Sequence, residues 1–260
     1  MLLEADVTAP AAPENAPPKS TPRATGRQRE GMNIRPVFWE CIYFISCLLM
    51  RLRLRVEIIG AEKNPRGPVL MAAKHGSSWD IPLLSRVARE ALGRRAYFQM
   101  GSFVGYSILG RIVPFMRWCG GFCVMRPKEL RRLKRRQELG RDELHARMER
   151  VNRAAEATRR AVLEEGGVLV FFPEGTRNDS EVLPLKATNE IATAVELRFV
   201  GVASTIWPVV ISYGPKSGFF RRRVRIECLD PLPVAGVTPE PLCAEIERRF
   251  RAAFLPSDKV

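Results

Sequence analysis

The stretch "PVLMAAKHGSSWDIPLLSRVA", residues 68 to 88, sets the fold, because a strand pattern and a helix pattern meet in it. Residues 68 to 73 are continuously apolar and of strand length, as in a strand that is covered on both faces of a sheet. A glycine and two serines then interrupt the apolar run, and Pro82 suits an early position in a helix. The stretch therefore predicts a buried strand, a turn in which Ser77 or Ser78 caps the next element, and a helix.

Similar patterns recur along the chain. The runs "GVLVFF" (167 to 172) and "IWPVVIS" (206 to 212) are also apolar throughout, whereas "LRLRVEI" (52 to 58) and "RRVRIECL" (222 to 229) alternate as half-exposed strands do. Helical patterns lie between the strands, notably over residues 148 to 165 and 239 to 254. Strands that alternate with helices predict an α/β fold with a mixed, mainly parallel sheet flanked by helices.

The charge balance indicates an anionic partner. The 260 residues fit one large domain and carry 42 Lys+Arg against 28 Asp+Glu, a net charge of +14. Nucleic acid, an anionic membrane surface and phosphorylated substrates would all match this charge. The arginine-rich segment, residues 127 to 160, lacks interleaved aromatic residues and the chain has no groove-reading motif, so we predict no nucleic-acid partner. This segment fits a solvated helix with i,i+4 ion pairs or a basic arm on anionic lipid, and the two are compatible.

The amino-terminal part differs in composition from the rest. Residues 1 to 30 are rich in proline and alanine and predict a disordered leader. Residues 31 to 51 contain the apolar run "PVFWECIYFISCLLM" (36 to 50), which as a helix of roughly 21 Å is shorter than the roughly 30 Å hydrocarbon core of a bilayer. A buried helix and a membrane-associated helix set into one leaflet both fit. We favour the second, since large apolar residues occupy nearly every side of the helix. Residues 52 to 260 would then form the main domain.

His75 and Asp80 are the first candidates for chemistry. His75 follows directly on a predicted buried strand, and open α/β sheets bind their ligands at the carboxyl ends of strands. Residues five apart on a helix point away from each other, so the two side chains can meet only if His75 lies in the turn and folds back, where Gly76 would relax the backbone. The carboxylate would then hold one ring nitrogen and leave the other as a base. Such a pair alone is more often incidental than catalytic.

Two further stretches end strand-like runs with an arginine. In "FFPEGTRN" (171 to 178), a strand ends at Pro173 and a tight turn follows it, so that Arg177 stands beside a glycine whose amide can approach a phosphate. A plain turn with an exposed arginine fits this stretch equally well. The stretch "GGFCVMR" (120 to 126) reads as another strand. The six cysteines do not have the spacing of a zinc site, so no metal is predicted.

Taken together and in this order, the three stretches resemble the glycerolipid acyltransferase family, typified by 1-acyl-sn-glycerol-3-phosphate acyltransferases. The family's first motif is matched by His75, Ser77 and Asp80, and its second by Gly121 and Arg126. The third motif is the most specific and is matched in full by Phe172, Pro173, Glu174, Gly175, Thr176 and Arg177. The fourth is similar to Trp207, Pro208 and Val209. The resemblance covers residues 35 to 230.

The resemblance implies acyl transfer from acyl-CoA or acyl-carrier protein, which are substrates rather than cofactors, to the hydroxyl of a lysophospholipid. The favoured acceptor is 1-acylglycerol-3-phosphate, which gives phosphatidic acid. His75 is then expected to be the catalytic base and Asp80 its partner. The expected substrate-binding residues are Arg126, Glu174, Gly175, Thr176 and Arg177. Membrane phospholipids are the expected partners, with the protein at the cytoplasmic face of a membrane.

Three departures from the family pattern leave the acceptor open. Lys74 stands where asparagine is common, and Thr188 stands where a glycine usually follows the third motif. The lysine-containing element between the first two motifs is not recognisable, and "FQMGSF" (98 to 103) occupies that region. An acyltransferase for another lysolipid, or a catalytically silent membrane- or lipid-binding relative, are the alternatives.

Overall fold

The computed structural model describes residues 35–101, 116–126, 130–131, 140–185, 188–215, 221–234 and 238–260. The α-helices with both ends in these residues are α1 (Pro36–Arg53), α2 (Asp80–Leu92), α3 (Arg141–Glu164), α4 (Asn189–Arg198) and α5 (Pro239–Ala253). The strands are β1 (Leu54–Ile59), β2 (Val69–Ala73), β3 (Ala96–Gly101), β4 (Gly121–Val124), β5 (Val168–Phe171), β6 (Thr205–Tyr213), β7 (Arg222–Cys228) and β8 (Leu232–Pro233).

The strands form one sheet in the order β1-β7-β6-β2-β5-β3-β4, and β8 pairs with β6. β2 pairs in parallel with β5 and β6, and β3 pairs in parallel with β4 and β5. β7 is antiparallel to β6 and parallel to β1. The predicted mixed, mainly parallel sheet is thus confirmed. β8 is also antiparallel to β6. Because β1 and β7 run opposite to β2 and β6, they begin at the edge where β2 and β6 end.

The sheet separates two apolar layers, and β2 contributes to both. Val69, Met71 and Ala73 pack in the layer formed with α1 and α2, whereas Leu70 and Ala72 pack in the layer formed with α3, α4 and α5. All five are completely buried. A strand that is covered on both faces needs apolar residues at every position, which explains the continuous run in the sequence.

α1 packs on the domain through one side only. Trp39 and Met50 are buried, and the Glu40 carboxylate accepts a hydrogen bond from Arg95 at 3.2 Å and forms an ion pair with Arg89 at 3.5 Å. The described residues contain no helix that is long and apolar enough to span a bilayer.

Three elements depart most from the predicted ones. β1 begins at Leu54 rather than at residue 52, because the last turn of α1 continues to Arg53. α3 begins at Arg141, before the predicted helix start at residue 148, and β3 was not predicted as a strand. β3 alternates between buried and partly exposed positions, and its polar Gln99 accepts a hydrogen bond from Arg159. Because the strand contains a polar residue, it does not form a continuous apolar run in the sequence. The predicted leader (1 to 30) and residues 127–129 and 132–139 of the arginine-rich segment lie outside the described residues.

Candidate active site

The His75 and Asp80 side chains meet at the carboxyl end of β2. The Lys74 N–H donates to the Val209 carbonyl at 3.0 Å and extends the pairing of β2 with β6, after which His75 enters the turn before α2. Its Nδ1 lies 2.6 Å from Asp80 Oδ2. The predicted arrangement, in which the histidine lies in the turn and folds back on the first residue of the helix, is the one observed.

The Asp80 carboxylate organises this turn. It is completely buried, and Oδ2 also accepts the backbone N–H groups of Gly76 at 2.8 Å and Ser77 at 2.9 Å. Trp79 directly precedes α2 and makes no side-chain cap hydrogen bond, whereas the Ser77 hydroxyl accepts the Trp79 N–H at 3.4 Å. The Asp80 carboxylate in the first helical turn satisfies the preceding amides, and its charge is favourable near the helix amino terminus.

The remaining ring nitrogen of His75 points toward the third motif. Arg177 Nε donates to His75 Nε2 at 3.2 Å, so Nε2 carries a lone pair and Nδ1 carries the proton that is donated to Asp80. The imidazole stacks on the Phe172 ring at a centroid distance of 3.9 Å. His75 is therefore held as the neutral tautomer that can accept a proton at Nε2.

Glu174 ties the third motif to the first through the backbone. Its Oε2 accepts the His75 N–H at 3.0 Å, and its Oε1 accepts the Leu183 N–H at 2.9 Å. The Glu174 side chain is completely buried. Glu174 was expected to bind substrate; since backbone amides of the protein occupy both oxygens of this buried carboxylate, it instead positions the strand end that carries His75.

Lys74 is a charged residue in the same buried layer. Its ammonium lies 3.9 Å from Glu174 Oε1, and both side chains are completely buried. The ammonium also donates to the Asn178 carbonyl and lies 4.6 Å from the centre of the Phe254 ring. Burial lowers the pKa of Lys74, and the Glu174 carboxylate opposes this shift. Lys74, which departs from the common family pattern, thus holds the loop after β5 against the end of β2.

The other predicted substrate-binding residues lie at the same edge of the sheet. Gly175 has a φ of 67°, a left-handed conformation that favours glycine, and its neighbours Thr176 and Arg177 are exposed. Arg126 follows β4, three strands from β2, which corresponds to about 14 Å at the usual spacing of strands. The structure therefore brings Arg177 into contact with His75, with Thr176 directly before it in the loop, whereas Arg126 lies further along the same edge.

Tyr213 is a site residue that the motifs did not indicate. It is the last residue of β6, it is buried, and its hydroxyl donates to Asp80 Oδ1. A Cβ atom on Gly76 would lie 3.2 Å from two atoms of the Tyr213 ring, so close approach to the ring, and not a left-handed backbone, favours glycine at this position. The signal that could have found Tyr213 is its position directly after the apolar run at 206 to 212, at the edge where His75 lies.

These contacts define a class of site. A buried aspartate fixes a neutral histidine, and in the described part of the chain the side chain that contacts the free Nε2 is an arginine rather than a nucleophilic serine or cysteine. Such a site can remove a proton from a hydroxyl that belongs to a substrate.

Comparisons with known proteins agree with this class. The Acyltransferase family model matches residues 55–212, more than half of the chain, and the chain belongs to this family of acyl-transfer enzymes. The 1-acyl-sn-glycerol-3-phosphate acyltransferase of Saccharomyces cerevisiae (strain ATCC 204508 / S288c) is 27% identical over 205 residues, which are 77% of this chain and 58% of that relative. The chain therefore spans less than two thirds of the length of that curated relative.

A solved structure has the same fold. The crystal structure of the 1-acyl-sn-glycerophosphate (LPA) acyltransferase PlsC from Thermotoga maritima aligns with a TM-score of 0.53 at 21% identity. The alignment covers 82% of this chain and 77% of that chain.

Replacing Lys74 with methionine tests the buried pair. Lys74→Met keeps a long side chain but leaves the Glu174 carboxylate buried without its cation, and breaking a buried pair in this way costs about 3 kcal/mol. We expect the free energy of unfolding, measured by urea denaturation, to fall by about that amount. The matched control is Lys63→Met, which removes the exposed ion pair with Asp230 and should cost less than about 1 kcal/mol. Equal losses in the two variants would contradict the assignment.

Proposed function

We propose that the protein transfers an acyl group from a thioester, acyl-CoA or acyl-carrier protein, to the free hydroxyl of 1-acylglycerol-3-phosphate, giving phosphatidic acid. The observation that carries this proposal is the state of His75: Nδ1 is bound to the buried Asp80, and Nε2 is an unprotonated acceptor at the edge of the sheet. The membership in the acyltransferase family and the names of the two relatives support acyl transfer to this acceptor, and the thioester donor is part of the proposal.

The proposed reaction is one proton-coupled transfer. His75 Nε2 takes the proton of the acceptor hydroxyl while the hydroxyl oxygen attacks the thioester carbonyl carbon. The C–S bond then breaks, the thiolate leaves, and the imidazolium returns the proton to the sulfur to give the free thiol. Asp80 stays ionised throughout and stabilises the imidazolium, as the aspartate of a serine hydrolase triad does. The substrate hydroxyl takes the place of the serine.

The acceptor phosphate has a suitable partner in Arg177. The guanidinium of Arg177 is exposed and donates only one of its N–H groups to His75 Nε2. A phosphate offers the guanidinium a charge-assisted, bidentate partner, which is stronger than a single bond to a neutral imidazole. Binding of the phosphate would therefore draw Arg177 from Nε2 and open that nitrogen to the hydroxyl. Thr176 and the Gly175 amide lie beside it, and Arg126 would serve a more distant part of the headgroup.

An apolar cavity supports an acyl substrate. A space of about 120 Å³ lies between α1, α2 and β3, lined by residues that include Trp39, Ile42, Ile81, Pro82 and Phe98. Ile81 and Pro82, which contribute to this lining, follow Asp80 directly in α2. The lining of the cavity suits an alkyl chain.

Substitution of His75 tests the proposed mechanism. The purified full chain is incubated with acyl-CoA and lysophosphatidic acid, and phosphatidic acid is measured by mass spectrometry. Loss of a general base typically lowers the rate by about 100-fold or more, so His75→Ala and Asp80→Asn should both fall at least that far. The control is His145→Ala, because His145 is the other histidine of the chain and is exposed on α3.

Two outcomes would contradict the proposal. Undiminished transfer by His75→Ala would remove the histidine from the mechanism. No transfer by the unsubstituted protein with either acyl-CoA or acyl-carrier protein, and with lysophosphatidic acid or other lysophospholipids, would favour the catalytically silent alternative. Transfer to a different lysophospholipid would keep the mechanism and change the acceptor.

We further propose that the protein acts at the cytoplasmic face of a membrane and docks through the outer side of α1. Six large apolar residues on that side are 47% to 79% exposed: Val37, Phe44, Ile45, Leu48, Leu49 and Leu52. Their spacing places them on one stripe of the helix, opposite the buried Trp39 and Met50. The inner side is fastened to Arg89 and Arg95 through Glu40, so α1 would lie along the membrane as part of the domain.

Charge favours anionic lipid as the occupant of this surface. Arg51 and Arg53 lie in the last turn of α1, and Arg55 pairs with Arg223 between β1 and β7. In the described part of the chain no carboxylate lies within ion-pair distance of these four arginines. They gather where β1 and β7 begin, at the edge that carries His75. A headgroup layer there would deliver lysophospholipid to the proposed site.

Vesicle sedimentation tests the docking surface. The double variant Phe44→Ser with Leu48→Ser should bind vesicles of phosphatidylglycerol and phosphatidylcholine at least about tenfold more weakly, since each lost apolar side chain removes about 1.5 kcal/mol of burial. The matched control is Phe199→Ser with Val200→Ser, because these two residues are 82% and 72% exposed but lie at the end of α4. Unchanged binding by the first variant, or a stable dimer of the protein that covers α1, would refute the proposal.

A further inference from the structure

Asp80 has unequal surroundings at its two oxygens. Oδ2 accepts three hydrogen bonds, from His75 Nδ1 at 2.6 Å and from the amides of Gly76 and Ser77 at 2.8 and 2.9 Å. Oδ1 has one donor in the described part of the chain, the hydroxyl of Tyr213. Asp80 is completely buried, so bulk water does not reach this oxygen. The orientation and charge of the carboxylate therefore depend on a residue from the far end of β6.

Tyr213 is held firmly in the orientation that this contact needs. It is 1% exposed, its ring is covered on one side by the Arg222 guanidinium at 4.8 Å, and Gly76 lies against the ring. Arg222 is itself fixed by the Gly214 carbonyl at 2.6 Å and by Asp179 at 3.2 Å. Burial, and then the negative charge of Asp80, raise the pKa of Tyr213, so that the hydroxyl keeps its proton and acts as a donor to Asp80.

We infer that Tyr213 is a positioning residue of the site: its hydroxyl locks the Asp80 carboxylate in the rotation that faces His75 and moderates the negative charge felt by the imidazole. As a catalytic role this inference rests on the proposed function, because a base must be neutral before it can accept a proton. Without the hydroxyl, Oδ1 would be a buried acceptor without a donor, and the whole negative charge would attract the proton of His75. Tyr213 thus fixes the rotation of the carboxylate that holds the base and offsets part of its charge.

The direction of the effect follows from the coupled titration of the pair. Removing a donor from an ionised carboxylate destabilises it most when the histidine is neutral, so protonation of the pair becomes more favourable. The pKa of His75 should then rise when the hydroxyl is removed. The other charged groups around the pair are unchanged in Tyr213→Phe. The difference in the His75 titration between the two proteins therefore reports the effect of the hydroxyl alone. These groups are Lys74 at the end of β2, Glu174, Arg177 and Asp179 in the loop after β5, and Arg222 on β7.

The test is a histidine titration by NMR in Tyr213→Phe. The chain has only two histidines, so the ring signals of ¹³C-labelled histidine in the full-length protein can be followed separately, with the exposed His145 as an internal reference. We expect His75 to titrate about 0.5 to 1 pH unit higher in Tyr213→Phe than in the unsubstituted protein. Tyr97→Phe, which removes a hydroxyl from the opposite apolar layer, should leave His75 unchanged. In an Asp80→Asn background, Tyr213→Phe should add no further shift.

A His75 titration that is unchanged or lower in Tyr213→Phe would overturn the inference. If that variant does not fold, the exchange of the Tyr213 hydroxyl proton with water is measured by NMR in the unsubstituted protein. We expect slow exchange, and rapid exchange would contradict the hydrogen bond to Asp80. Where acyl transfer is measurable, kcat/KM is plotted against pH for both proteins. The acidic limb of this profile should shift to higher pH in Tyr213→Phe by the same amount as the His75 titration. A general loss of structure would instead lower kcat/KM at every pH. The NMR result does not require acyl transfer, so failure of the proposed function and failure of this inference are distinguished.

Discussion

The site depends on one buried anion. The Asp80 carboxylate is removed from water and receives four hydrogen bonds, two from the turn before α2, one from His75 and one from Tyr213. Leaving such a charge without these donors would cost several kcal/mol, so the turn, the ring of His75 and the end of β6 are constrained together. This constraint explains how two residues five positions apart face each other although a regular helix would separate them.

A second buried carboxylate joins the two motifs that are distant in sequence. Glu174 accepts the backbone amides of His75 and Leu183, and Lys74 stands beside it as a buried cation. The buried Glu174 carboxylate bridges these two backbone amides. It therefore sets the distance between the end of β2 and the loop after β5, and no exposed side chain is needed for this contact. Arg177 stays exposed at the surface and donates to His75 Nε2. In the third motif, the buried Glu174 thus positions the backbone, and the exposed Thr176 and Arg177 remain available for a ligand.

Much of the fold and the local part of the site could be predicted from the sequence. Strands covered on both faces leave continuous apolar runs, as at residues 68 to 73, and the pair of His75 with Asp80 lies within one turn. Contacts between distant strands leave no local pattern: Tyr213 is 133 positions from Asp80, and Lys74 was visible only as an unusual residue before the histidine. Glu174 was expected to bind substrate, because composition does not reveal which way a side chain faces.

The central claim is that the unliganded protein holds His75 as the neutral base with its proton on Nδ1. A long-range ¹H–¹⁵N spectrum of the ¹⁵N-histidine-labelled protein, recorded above the pH at which the imidazole becomes neutral, reads this directly. Two histidines give two patterns, and His75→Ala assigns them. The account predicts that Nδ1 of His75 carries the proton and that Nε2 has the shift of an unprotonated ring nitrogen. A proton on Nε2 would contradict it.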